Sequence, residues 1–121
     1  MPAGAADLGA AVDGVGRMTF AAEIEAYIGP ERIEACVVGA WPSHNEPPPI
    51  AIPPERVGVP VQWGEAREWL AYEASHDFGG ADCHPVYLWT PTRVVVIREY
   101  DGSTSIGAVP RHPIHGEAAF L

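Results

Sequence analysis

The dipeptide Asp101-Gly102 separates two runs rich in β-branched side chains, 93–100 and 103–109. A two-residue connection between paired strands needs positive φ at both central positions, and Asp-Gly meets that need at little cost. The turn therefore sets a hairpin, and the hairpin sets a register, with Ile97 opposite Ile106 and Val95 opposite Ala108. Pro91-Thr92 supplies a second, less specific turn after the run 86–90. If it too is a two-residue loop, Leu88 faces Val95 and Val86 faces Ile97, and the three runs form an antiparallel meander.

This register divides the side chains between two faces. Val86, Leu88, Val95, Ile97, Ile106 and Ala108 make an aliphatic face suited to burial under helices. Tyr87, Trp89, Val94, Val96, Arg98 and Tyr100 make the other. Aromatic residues and arginine carry much of the binding energy of protein interfaces. The second face thus reads either as a further core layer beneath a loop or as a binding surface. A slip of one residue at Pro91-Thr92 would exchange the faces of the first strand.

Upstream, Phe20, Ile24, Tyr27 and Ile28 recur with helical spacing after Thr19, a residue type that caps helix N-termini, and Gly29-Pro30 ends the pattern. A second helix is predicted over 64–74, with Ala66, Trp69, Leu70 and Ala74 as its apolar stripe and Trp63 extending it. The stretch 32–41 reads as a strand that joins the edge of the meander. Residues 42–60 contain seven prolines and read as a stiff extended connection held to the body by Ile50 and Ile52. Residues 1–18 read as a flexible leader and 19–121 as one domain. The expected fold class is α+β, two short helices packed on a small, mainly antiparallel sheet with a C-terminal three-stranded meander.

Composition bounds the function. The chain has 121 residues and a net charge of −9, and all seven basic side chains are arginine. Proteins that bind nucleic acid or acidic membranes cluster Lys and Arg to release counterions, so direct binding of either is not expected. No apolar run approaches the ~20 residues of a membrane span. Two cysteines, Cys36 and Cys83, cannot build a disulfide framework, which points to the reducing cytoplasm. The phosphate-cradling, dinucleotide-binding, zinc-protease and nucleophile-elbow motifs are all missing from the sequence. His44-Asn45-Glu46 has the H-x-E of the zinc deaminases without their P-C-x-x-C.

Metal-capable side chains are densest at 76–84, where His76, Asp82, Cys83 and His84 flank Gly79-Gly80. Adjacent Cys83 and His84 should point in opposing directions, so both reaching one ion is difficult. Cys83 is also the candidate nucleophile, needing a base from His44, His76, His112 or His115. Glu73, Asp77 and Asp82 are the first carboxylates to consider for acid–base work. Arg111 and His112, with Arg93 and Arg98, suggest a small basic patch on the sheet side. The acidic residues gather instead on the helices and their flanks, including Glu23, Glu25, Glu31, Glu34, Glu65, Glu68 and Glu73.

Two functions follow as expectations. The first is a small acidic non-enzymatic interaction module, such as an inhibitor, immunity or phage or mobile-element accessory protein, that engages a basic protein partner through Tyr87, Trp89, Arg98, Tyr100, Arg111 and His112. No cofactor is expected. The alternative is a small enzyme, metal-binding or small-ligand-binding protein built on the loop 76–84, with a pocket bounded by that loop, Arg111 and His112.

Overall fold

The computed structural model describes residues 18–77, 79–112 and 118, and all of the expected leader except Met18 and most of the tail beyond 112 lie outside them. The first element, α1 (Phe20–Ile28), begins at Thr19, whose hydroxyl accepts from the Ala22 N–H at 3.1 Å. A helix start leaves its first N–H groups without intrahelical acceptors. Here the Phe20 N–H donates to the Tyr72 carbonyl at 2.6 Å and the Ala21 N–H to the Leu70 carbonyl at 2.9 Å. The Glu23 N–H then opens the regular pattern on the Thr19 carbonyl.

Those bonds explain a departure from the sequence expectation. The second helix, α2, runs from Trp63–Trp69 and its chain leaves the helix at Leu70 instead of continuing to 74. The apolar stripe does continue, since Leu70 and Tyr72 are buried and Ala74 packs on the core. It continues on non-helical backbone, because the Leu70 and Tyr72 carbonyls serve α1. The two helices are also tied by the Glu25 carboxylate, which accepts from the Trp63 indole at 2.8 Å and from Arg67 at 3.0 Å.

The sheet has four antiparallel strands in the order β1 (Ala35–Val38), β2 (Val86–Trp89), β3 (Arg93–Tyr100) and β4 (Ser103–Pro110). The architecture is α+β, as the sequence indicates. Asp101 and Gly102 have φ values of 52° and 83°, and Ile97 pairs with Ile106 and Val95 with Ala108. Leu88 pairs with Val95, so the turn at Pro91-Thr92 keeps the expected register. The strand expected over 32–41 is the edge strand β1, with Cys36 opposite Leu88 and Val38 opposite Val86.

The proline-rich segment covers the free edge of β1. After a single turn of 3-10 helix at Pro54–Arg56, the Gly58 N–H donates to the Val38 carbonyl, and Cys36 and Val61 exchange N–H to carbonyl bonds at 3.0 and 2.8 Å. Exposed strand edges invite unwanted pairing, and short flanking segments that cover them remove the hazard. Ile50, Ile52 and Val59 anchor the segment against the core.

That core lies on one side of the sheet. Phe20, Ile24 and Ile28 of α1 join Ala66 and Trp69 of α2 and Cys36, Val38, Val86, Leu88 and Val95 of the sheet in one buried cluster. Ile97, Ile106 and Ala108 border it. Leu88 is fully buried at its centre, so Leu88→Ala should cost about 2–5 kcal/mol of folding stability by leaving a cavity. Tyr100→Ser, at an exposed position, should stay within about 0.5 kcal/mol. Urea denaturation of the two variants beside the parent checks this contrast.

Candidate functional site

Two regions bring candidate residues together, the outer face of the sheet and the loop that connects α2 to β2. On the outer face, Tyr87 and Trp89 of β2 meet edge to face with centroids 6.2 Å apart. Register sets Tyr87 between Val37 and Val96, and Val94 between Trp89 and Val109. None of these side chains belongs to the buried core cluster or borders it. Tyr87 is 56% exposed and Tyr100 81%. The proline-rich segment therefore does not make this face a second core layer, because it is occupied at the edge of β1.

Arg98 lies across this face. Its Nε donates to the Ser105 hydroxyl at 3.1 Å, and its stem passes over Gly107. A Cβ at Gly107 would come within 2.9 Å of the Arg98 Cδ, so glycine is what lets the guanidinium lie flat across β4. Arg98 takes part in no ion pair among the described residues.

The expected basic patch does not form, because its other members are committed elsewhere. Arg93 donates to Glu31 at 3.0 Å and to the Ile28 carbonyl at 2.8 Å, and its guanidinium lies 5.6 Å from the Tyr27 ring centre. A cation at the last carbonyls of a helix complements the dipole, so Arg93 caps α1. Arg111 pairs with Glu34 and donates to the Thr90 carbonyl. The Thr92 hydroxyl and then Arg93 hold Glu31 below the ordinary carboxylate range, and Arg111 does the same for Glu34. His112 is exposed beside Arg111. Both stand at the end of β4 remote from the loop 76–84, so the expected pocket between that loop and Arg111 is not formed. A cleft of about 650 Å³ does border the loop, but its other walls are Trp41–Glu46 and Glu99.

The loop itself is organised by hydrogen bonds that split the sequence cluster in two. His84 faces inward and is fully buried. The Tyr72 hydroxyl accepts from the His84 N–H at 2.8 Å and shares a second hydrogen bond with His84 Nδ1 at 2.7 Å. With the Tyr72 proton in that second bond, the ring is neutral and carries its own proton on Nε2. Burial pushes the His84 pKa down to about 4 and raises that of Tyr72. Trp41 packs on the His84 ring at 4.9 Å.

His76, Asp82 and Cys83 form the other group. His76 has φ 61°, an uncommon conformation for a side chain with a Cβ. Its Nε2 lies 2.8 Å from Glu23 on α1 and its Nδ1 2.6 Å from the Thr104 hydroxyl on β4. The Cys83 thiol donates to the same hydroxyl at 3.7 Å. Asp82 accepts from the Ser75 N–H, the Ser75 hydroxyl and the His76 N–H. Burial works to raise the Asp82 pKa, but those donors outweigh it and leave it lowered. In the sequence Glu23 stands out only as an acidic helix residue and Thr104 not at all, since nothing local links residues 53 and 28 positions away to His76.

As a nucleophile Cys83 is poorly placed. Burial pushes its pKa up to about 11, and that of Cys36 up to about 12, so both thiols stay protonated at neutral pH. His44, another candidate base, is exposed on the proline-rich segment, and His115 lies outside the described residues. In the metal-free protein, iodoacetamide should modify Cys83 more slowly than free cysteine at pH 7, as followed by mass spectrometry.

His84 also couples folding to pH. Its folded pKa is about 4 against 6.5 for the free side chain, so the unfolded chain takes up the proton first. The stabilisation is complete above pH 6.5 and declines as pH falls towards 4. The loss should be on the order of 1–3 kcal/mol, less than the full shift implies because the loop can hydrate as it opens. Glu25 and Asp82 are lowered carboxylates whose contribution declines only at lower pH. Urea midpoints between pH 7 and 5 should fall for the parent and stay flatter for His84→Asn, whose amide oxygen can take the Tyr72 hydroxyl without titrating. Comparison of the chain with protein-family models, curated proteins and solved structures finds no match.

Proposed function

We propose that this protein is a non-enzymatic interaction module that engages a basic protein partner with the outer face of its sheet. The observation that carries the reading is the exposure of Tyr87 and Tyr100 on a face whose Trp89, Val94 and Val96 stand outside the core. Contiguous apolar and aromatic surface on a small domain marks interaction sites. Rigid aromatic side chains and a flat arginine are the groups that anchor such contacts.

Charge favours a basic partner. The chain carries −9. Five of its arginines are paired with glutamates within the fold. Glu99 and Asp101 flank Tyr100 at the hairpin tip, and neither joins an ion pair among the described residues. Acid therefore surrounds the most exposed aromatic residue, where it would attract and orient positive charge. An inhibitor, immunity or mobile-element accessory protein is the functional class that combines these features.

No helix among the described residues is long and apolar enough to cross a membrane. Cys36 and Cys83 are free and buried apart from a disulfide, which supports a place in the reducing cytoplasm.

The test is affinity capture from the native host, identification of the retained protein, and titration with that protein purified. The partner should have a basic contact surface, and binding should weaken as salt rises. Trp89→Ala and Tyr100→Ser should each weaken binding at least about tenfold while leaving the melting temperature close to the parent. A partner that binds both variants as tightly as the parent, or recovery of none at low salt, would overturn the reading. Self-association through this face, seen as a dimer in sedimentation, would do so as well.

A further inference from the structure

We propose that His76, Cys83 and Asp82 form a binding site for a zinc-class transition-metal ion where the loop after α2 meets β4. The site is independent of the outer sheet face. It rests first on proximity, since a ring nitrogen of His76, the sulfur of Cys83 and a carboxylate oxygen of Asp82 all lie within 4.8 Å of one another. Donors around one tetrahedral zinc, bonded at ~2.0–2.3 Å, stand roughly 3.3–3.8 Å apart. Closure onto an ion therefore takes a shift of about an ångström in two loop residues.

The second observation is the group behind His76. A histidine that binds a metal through one nitrogen commonly donates the other N–H to a carboxylate, which sets the tautomer and strengthens the donor. His76 Nε2 stands 2.8 Å from Glu23 Oε1. With the proton held there, Nδ1 carries the lone pair, and it faces the Thr104 hydroxyl at 2.6 Å. Cys83 Sγ converges on that same hydroxyl from 3.7 Å. Asp82 is steadied by three donors from Ser75 and His76, so its carboxylate is already oriented. One nitrogen, one sulfur and one oxygen select a zinc-class ion over calcium or magnesium, which take oxygen donors.

The exchange on binding is simple. The Thr104 hydroxyl turns away from Nδ1, the Cys83 thiol releases its proton to solvent, and the ion takes the two lone pairs together with an Asp82 oxygen. His84 takes no part: its ring packs on Trp41 and Tyr72, and its nitrogens are not among the clustered donor atoms. The bound ion would pin the loop to β4 directly and, through Glu23, to α1. Solvent would fill the fourth position of a tetrahedral ion, and binding adds to folding stability.

Cobalt(II) tests it, since the ion substitutes for zinc and reports its ligands by absorption. Untagged protein titrated with Co²⁺ should bind one equivalent. It should show a thiolate-to-cobalt charge-transfer band with tetrahedral d–d bands, all bleached by Zn²⁺. Cys83→Ser should abolish the charge-transfer band, and Cys36→Ser should keep it. Glu23→Gln should retain the band and weaken Co²⁺ binding about tenfold or more, because it touches His76 and not the ion. Absence of the band in the parent at tenfold excess of Co²⁺ would overturn the proposal. So would its persistence in Cys83→Ser, or unchanged affinity in Glu23→Gln. Should Cys83→Ser fail to fold by circular dichroism, the parent titration and Glu23→Gln decide alone.

Discussion

The pairing of α1 with the backbone at Leu70 and Tyr72 is the constraint on which the arrangement of this molecule rests. A nine-residue helix is marginal by itself. Its N–H groups at Phe20, Ala21 and Ala22 are taken by the Tyr72 carbonyl, the Leu70 carbonyl and the Thr19 hydroxyl. The Tyr72 hydroxyl accepts from the His84 backbone N–H and bonds to the His84 ring, and its own ring packs beside Phe20 and Trp41. One residue thus joins helix start, loop and the entry to β2. From that junction the chain runs on to Cys83, which bonds to Thr104, and to His84, which bonds to Tyr72, so the two side chains engage different partners.

How much of this was legible follows from the range of the interactions. The hairpin could be read because Asp101-Gly102 has a local conformational requirement, and the two turns propagate one register across three strands. Thr19 and Gly29-Pro30 bounded α1 for equally local reasons. The end of α2 could not be read, because the stripe of buried residues continues while the backbone changes partner at Leu70. The link of Glu23 and Thr104 to His76 escaped notice for a related reason. A glutamate in the first turn of a helix and a threonine in a strand each have an ordinary local explanation, and only the fold brings them to His76.

The arginines show the same limit in another form. By position along the chain, Arg93, Arg98 and Arg111 form a group on the sheet. Arg93 is drawn to the C-terminal end of α1, and Arg111 to Glu34. Both are paired with glutamates, which offsets the positive charge they would otherwise add to the sheet. Arg98 remains, held flat by the missing side chain at Gly107 and by Ser105.

These facts separate two roles that composition merges. Ion pairs at Glu25, Glu31, Glu34 and Glu65 fasten the helices and the ends of the sheet, and they consume most of the arginine. They leave Glu46, Glu55, Glu68, Asp77, Glu99 and Asp101 outside any ion pair among the described residues. Surface pairs of the first kind contribute little each to stability, so their main effect here is on where charge is left over. The surplus acid is exposed, and part of it stands at the hairpin tip beside Tyr100. The proposed basic partner would meet negative potential at that end before it met the aromatic face. Long-range attraction and short-range packing would then act in sequence on the same encounter.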